Sequence, residues 1–440
     1  MNVESTAREL EVQPKTDQTL STTAGISKKK SFLIGLQHVL AMDIFIPPMI
    51  LAGLLSLSVG ETTLLIQMTF LACGIATVIQ AGFAMKLPVM QGPSFVPLSA
   101  LATIGTTSGL PVMVGSLMPG ALFIALLGYP LKLFSKLVRT FIPKIVAGTV
   151  IIVVGIALMP NAIQSIYTAP GGFGPNVLIA SVTGSVLILS MYFGEKFKHL
   201  TFIKLASVIV ALTLGTLVAS FYGMVDFSQV QEAGWFALPH VFAFGAPVFE
   251  LEAVLLMVFI YFIIMIETTG TWFTVSEVTD EKLSDNRLNG GSFGEGFGCF
   301  VGSLFGGTPV TGYSSNAGVL AITGVKSRYP VIAGGIILIL LGMMPKLMSV
   351  LASIPASVIS SVFAVICLIV MMNGFRVVKD VTFTERNMLI IGLPITLTFF
   401  TTFLPGEVFE TMPTILTYVL SSGVAVGALA AVILNKLLPE

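Results

Sequence analysis

The stretch GGTPVTGYSSNAGVLAITG, running from Gly306 to Gly324, decides how this chain is read. It lies in a long apolar region, yet it cannot be one continuous helix. Gly306, Gly307, Pro309 and Gly312 oppose helix over the first half, because glycine costs backbone entropy and proline removes a donor. From Ser315 onward the pattern turns helical, with Ser315 or Asn316 suited to cap the helix start. A backbone broken at membrane depth leaves polar groups unpaired. That is tolerated only where protein or a water-filled cavity satisfies them. The stretch therefore marks half of a candidate binding site, built on the positive end of a short helix.

Composition makes the surroundings a membrane. The chain has 440 residues, 55% hydrophobic and 10% charged, where soluble domains carry about 25% charged residues. Its mean hydropathy is +0.96, and its formal net charge is zero, which argues against nucleic acid as a partner. Cys73, Cys299 and Cys367 all sit in apolar segments and read as small core residues. His38, His199 and His240 form no metal-ligand spacing with them, and no cofactor is expected. Residues 1–31 are polar, carry Lys28, Lys29 and Lys30 before the first apolar run, and hold no signal-peptide cleavage pattern. They read as a cytoplasmic tail.

A span needs about 20 apolar residues. On that basis the sequence predicts an all-α polytopic protein with fourteen membrane segments. The first seven are 32–55, 62–84, 87–107, 111–134, 141–162, 175–194 and 201–223. The second seven are 248–275, 292–306, 308–325, 329–350, 354–374, 386–404 and 411–437. With both termini cytoplasmic, the inner loops collect the cations, as the positive-inside rule requires: Lys86; Lys132, Lys136, Arg139 and Lys144; Lys196, Lys198 and Lys204; Lys282 and Arg287; Lys326 and Arg328; Arg376, Lys379 and Arg386; and Lys436. The outer loops carry Glu61, Asp226, Glu232, Glu407 and Glu410. Lys346 is the exception.

The chain also repeats itself. Ile142-Pro143 opens span five and Ile354-Pro355 opens span twelve. At that offset of 212, Val146, Val150, Val153, Met159 and Asn161 meet Val358, Val362, Val365, Met371 and Asn373. Leu126-Leu127-Gly128 with Lys132 meets Leu340-Leu341-Gly342 with Lys346 at offset 214. Seven spans is an odd number, so the second copy must insert upside down, the inverted 7+7 plan of secondary transporters. The repeat gives Gly306–Gly324 a partner in span three, Met90-Gln91-Gly92-Pro93-Ser94-Phe95-Val96-Pro97. Segments 3 and 10 are each expected to be a short strand plus a half-helix, with their helix starts meeting near the midplane. Glycine and proline kinks in two continuous helices are the alternative.

Ionisable groups inside a membrane are costly and are functional candidates by default. Glu267 sits in Ile263-Ile264-Met265-Ile266-Glu267-Thr268-Thr269-Gly270 with nothing basic within a helical turn. It is a candidate to take up a proton or to accept hydrogen bonds from a polar ligand; a protonated structural carboxyl is the other reading. Glu295, in Gly294-Glu295-Gly296, begins span nine near the inner surface, where structural, gating and proton-coupling roles compete. His38 follows Gln37 and precedes Asp43 and a Pro47-Pro48 kink. It suits a proton relay or a packing donor; five residues apart, His38 and Asp43 face different ways. Phe95 falls in the broken part of span three, facing the cavity. The sequence shows no P-loop, no hydrolase elbow and no nucleotide-binding domain, so neither an enzyme nor ATP-driven transport is expected. An ion gradient remains as the energy source.

Taken together, these residues resemble the nucleobase–ascorbate transporter family along nearly the whole chain. The family signature in span ten is Gln, Glu or Pro, then Asn-x-Gly, four residues, and Thr followed by Arg, Lys or Gly. Here it reads Ser315-Asn316-Ala317-Gly318-Val319-Leu320-Ala321-Ile322-Thr323-Gly324. Gln37-His38 in span one, Ser94-Phe95 in span three, Glu267 in span eight and Glu295-Gly296 in span nine match in order.

The resemblance implies a core of residues 32–138 and 248–350 that carries the site. A gate and dimer scaffold would comprise 139–247 and 351–440. It also implies a homodimer in the cytoplasmic membrane, taking up a purine such as xanthine or urate together with protons. Glu267 would bind the ring nitrogens, while Phe95, Ser94, Ser315, Asn316, Gly318, Thr323 and Thr271 would complete the substrate site. Glu267, Glu295 and His38 would carry proton coupling. Two positions depart from the family: Ser315 stands where Gln or Glu is usual, and Thr271 where purine members commonly have Asp and uracil members His. A uracil–proton symporter and a sulfate- or bicarbonate-like anion carrier of the same 7+7 plan are the alternatives.

Overall fold

A computed structural model describes residues 26–197, 203–204, 206–405, 407–408 and 412–439. Most of the expected cytoplasmic tail, with Lys198, His199 and Glu410, lies outside the described residues. The first half runs α1 (Lys28–Leu40), α2 (Ile46–Leu54), α3 (Val59–Ile79), β1 (Gln91–Pro93), α4 (Leu98–Thr107), α5 (Leu110–Gly128), α6 (Phe134–Phe141), α7 (Lys144–Thr168), α8 (Phe173–Lys196) and α9 (Ser207–Phe221). After α10 (Ser228–Glu232), the second half runs α11 (Leu251–Thr279), α12 (Asp285–Phe305), β2 (Val310–Gly312), α13 (Ser314–Thr323), α14 (Tyr329–Gly342), α15 (Pro345–Ala352), α16 (Ala356–Val378), α17 (Glu385–Thr402), α18 (Thr414–Leu420) and α19 (Gly423–Leu437).

The fold is mostly helical because apolar runs in a membrane must satisfy every backbone group internally. Among the described residues, six helices are long and apolar enough to cross a membrane. A seventh crossing is added if α14 and α15, bent by 82° at their junction, form one span.

Three expectations are corrected. Span one does not kink at its prolines. It breaks at 41–45, ahead of them, and Pro47-Pro48 open α2, where proline's missing N–H costs nothing. Span nine begins earlier than expected, at Asp285, so Glu295 lies mid-helix and not near an end. The helix after Gly312 starts at Ser314. Tyr313, not Ser315 or Asn316, holds its N-cap position, with no side-chain cap.

The helices pack as two groups. In one, α1 and α3 pack on α14, α5 packs on α11 and α12, and α12 packs on α3. In the other, α7 lies along α16, with α8, α9, α17 and α19 around them. Small residues let backbones close, as membrane helix pairs require. A Cβ on Gly148 would stand 3.0 Å from the Gly374 carbonyl oxygen, and one on Gly155 2.5 Å from the Cys367 carbonyl oxygen.

β1 and β2 pair antiparallel, Gln91 opposite Gly312, Gly92 opposite Thr311 and Pro93 opposite Val310. The ladder extends outward through Ser94 N–H to Pro309 O (2.9 Å) and Tyr313 N–H to Met90 O (2.9 Å). Because the strands are antiparallel, α4 and α13 leave the pair in opposite directions. Both helix N-termini therefore point back at it.

Candidate functional site

The strand pair is the centre of the site. Its residues are too short a run to be stable alone, so side chains of α11, α12 and α3 hold it. Thr268 Oγ1 accepts the Gly312 N–H at 2.8 Å and donates to Glu295 Oε2 at 2.7 Å. Cys299 Sγ lies 3.4 Å from both N and O of Val310. Thr77 Oγ1 accepts the Gln91 N–H at 2.9 Å. Asn316 Nδ2 donates to Pro88 O at 2.6 Å, anchoring the first turn of α13 to the segment before β1.

Glu267 sits on α11, half-buried, one residue before Thr268. Its Oε2 accepts the Ser94 hydroxyl at 2.8 Å, and Ser94 Oγ in turn accepts the Val96 N–H at 3.2 Å. The Thr311 hydroxyl lies beside the same carboxyl, without a completed bond. None of the ion pairs among the described residues includes Glu267 or Glu295.

The strand pair and the first turn of α13 carry buried polar atoms without a protein partner: Gln91 Oε1 and Nε2 and Thr311 Oγ1 on the strands, Ser315 Oγ and Asn316 Oδ1 on the helix. Buried polar groups are normally paired. A cluster of unpaired donors and acceptors beside a carboxylate and two helix N-termini can bind a polar, planar molecule that both donates and accepts. Phe95 closes one side of the cluster. Its ring stacks on Phe363 of α16, with centroids 5.7 Å apart and planes at 13°. At the other side, Asn373 of α16 donates to Ser314 Oγ at 3.2 Å.

Of the residues named from sequence, Glu267, Ser94, Phe95, Ser315 and Asn316 meet at the strand pair. Thr271 is buried one turn further along α11. Gly318 is exposed on α13, with open space where a Cβ would point. Thr323 lies apart, at the far end of α13, its hydroxyl bonded to Val319 O at 2.8 Å. Glu295 is buried behind Thr268. His38 is fully buried on α1, and neither ring nitrogen has a hydrogen-bond partner. Sequence reading missed Thr268, Thr311, Phe363 and Asn373. Asn373 carried a signal as the repeat mate of Asn161; Thr268 stood next to the carboxylate already chosen. Among the described residues, no group of three His, Cys, Asp or Glu is placed to hold a metal ion.

Comparison with known proteins sets this geometry in context. Residues 29–407 match a family model described as a permease family. The chain is 33% identical to the uric acid permease PucK of Bacillus subtilis over 92% of its own length and 94% of that protein. It is 30% identical to the xanthine permease of Bacillus subtilis over 92% of its length and 93% of that protein. It is 29% identical to the uric acid transporter UacT of Escherichia coli, over 93% and 86%. Among solved structures, the transmembrane domain of the cyanobacterial bicarbonate transporter BicA superposes with a TM-score of 0.65. That match is 18% identical and spans 94% of this chain and all of the other. Murine Slc26a9 in its inward-facing state gives 0.64 at 15% identity, covering 94% of this chain and 69% of that one.

Proposed function

This multi-pass membrane protein belongs to the nucleobase–ascorbate transporter family, and from that premise we propose that it takes up an oxidised purine, urate or xanthine, together with protons. The observation that carries the reading is the Glu267 carboxylate at the crossing of β1 and β2. There it accepts the Ser94 hydroxyl, beside a strand pair and an α13 start that hold buried donors and acceptors without protein partners. An oxopurine presents ring N–H donors and carbonyl acceptors on one rigid plane. The carboxylate takes the N–H groups, and the α4 and α13 N-termini take the carbonyl oxygens. The relatives named for urate and xanthine point to purines over uracil.

The proposed architecture is fourteen crossings in an inverted 7+7 repeat, with segments 3 and 10 broken into strand and half-helix. Residues 32–138 and 248–350 form the moving core; 139–247 and 351–440 form the gate. One contact supports the repeat directly. Gly155 of α7 meets Cys367 of α16, and 367 − 155 = 212, the offset between the two halves. Equivalent residues touch where a two-fold axis passes between them. A homodimer in the cytoplasmic membrane with both termini inside completes the proposal.

The likeness to bicarbonate and SLC26 carriers is one of fold. An inorganic anion such as sulfate has no ring N–H to donate to the Glu267 carboxylate, which favours the purine. The test is uptake of labelled urate in cells expressing the chain, with xanthine, guanine and uracil as competitors. Glu267→Gln should abolish accumulation at unchanged membrane abundance; normal accumulation by that variant rejects the assignment.

A further inference from the structure

A second carboxyl travels with Glu267. Asp43 lies in the break of span one, between the end of α1 at Leu40 and the start of α2 at Ile46. Its side chain is half-buried, and none of the ion pairs among the described residues includes it. The Tyr313 hydroxyl lies beside it, short of a completed hydrogen bond. Tyr313 is the N-cap residue of α13, and its ring lies against Gly92 of β1, where a Cβ would come within 2.2 Å of it. The phenol thus ties the span-one break to the same strand pair that Glu267 faces. Met42, Ile44 and Phe45, flanking Asp43, line an apolar cavity of about 500 Å³. Its opposite wall includes Thr213 and Thr216 of α9, on the other helix group. Asp43 therefore stands at the seam between the two groups.

We propose that Asp43, partnered by Tyr313, carries a second proton in each transport cycle. The proposal rests on the purine–proton reading above, in which the core crosses the membrane field with its side chains. A carboxylate without a cation is not carried through that field cheaply; neutralised, it is. Tyr313 can serve both states, because a phenol donates to the carboxylate and accepts from the acid. Uptake of H⁺ converts the carboxylate to the acid; release returns the proton, and Tyr313 keeps its own throughout. A proton needs only the carboxyl and the phenol beside it, whereas a sodium ion needs several oxygen ligands.

Few charged groups on the packed elements can substitute. The titratable side chains of α3, which packs on α2, are Glu61, at the outer start of the helix, and the buried Cys73. α16, also against α2, has Cys367 and Arg376, and α4 has none. His38, on span one itself, makes no hydrogen bond to Asp43. Glu295 is enclosed and bonded to Thr268.

The experiment measures the equilibrium accumulation of labelled xanthine in proteoliposomes under an imposed pH gradient at zero membrane potential. Each coupled proton multiplies the ratio about tenfold per pH unit. The wild type should accumulate about 100-fold per unit and Asp43→Asn about tenfold, with sodium exchanged for potassium making no difference. A tenfold ratio in the wild type, an unchanged ratio in Asp43→Asn, or a requirement for sodium overturns the proposal. A tenfold wild-type ratio overturns the proposal even if Asp43→Asn does not fold, and Tyr313→Phe, which removes the partner phenol, serves as the second variant, expected to lower the 100-fold ratio. No response of the wild type to the gradient would instead reject proton symport as a whole.

Discussion

Ser94 Oγ donates to Glu267 Oε2 across 2.8 Å, joining the broken third segment to the helix 173 residues downstream. The bond fixes the carboxylate with one oxygen occupied and leaves the other for a ligand. Ser94 also bonds the Val96 N–H, so one hydroxyl sets both the acid and the turn into α4.

Ser94→Ala should therefore weaken substrate binding without removing the site. A hydrogen bond to a charged group contributes about 1.5 kcal/mol or more, so KM for labelled urate should rise about tenfold or more. Ser94→Thr, which keeps the hydroxyl, should retain most of the affinity. Uptake measured across a concentration series separates this from a loss of protein.

Thr268 is the keystone between Glu295 and Gly312. Thr268→Val keeps the shape and removes the hydroxyl, stranding the Gly312 N–H and one Glu295 oxygen. Each buried group left unpaired costs about 1–3 kcal/mol. The melting temperature in detergent should fall by several degrees, and urate transport should fall with it. Thr268→Ser should melt close to wild type.

How much of this was legible beforehand follows from what local sequence can encode. Gly306, Pro309 and Gly312 announced a break because their backbone limits act locally, and the run Ile263–Ile266 announced a carboxylate in apolar surroundings. The helix start at Ser314 was not legible, because pairing of β2 with a strand 219 residues earlier set it, overriding the capping preference of Ser315. Glu295 reads from sequence as a helix start because apolar character sets in only near 292, whereas the helix begins at Asp285 and runs through the glycines at 290, 291, 294 and 296. They are close-packing positions of α12: Gly290 and Gly294 against Ala84, just after α3, Gly291 against Trp272 of α11 and Gly296 against Ala125 of α5. The contacts from Phe363 and Asn373 join distant segments, and no local pattern reports them.

Gly92 tests how tightly the strand pair is packed. A methyl group there would meet the Tyr313 ring at 2.2 Å, whereas one at Gly53 meets nothing within 4 Å. Overpacking a full site costs about 1–3 kcal/mol. Gly92→Ala should lower thermal stability and abolish uptake, while Gly53→Ala, the matched control, should do neither. Fluorescence-detected size-exclusion after graded heating reads the difference.

Phe95 and Phe363 bring the proposed core and gate into contact, so their stack must part if one moves against the other. The two rings lie 5.7 Å apart. Cysteines in their places, in a background with Cys367→Ala to remove the thiol one turn away, should be bridged by a short bifunctional maleimide. Bridging should stop urate uptake altogether, beyond the partial loss that Phe95→Cys treated alone shows, while Phe363→Cys treated alone should leave uptake running. Tyr167 and Phe173 stack at 5.5 Å between α7 and α8, within one helix group. The same bridge placed there should leave uptake unchanged. Transport that continues with Phe95→Cys and Phe363→Cys fully bridged would mean that α16 and the third segment move together, and that the division into core and gate is drawn in the wrong place.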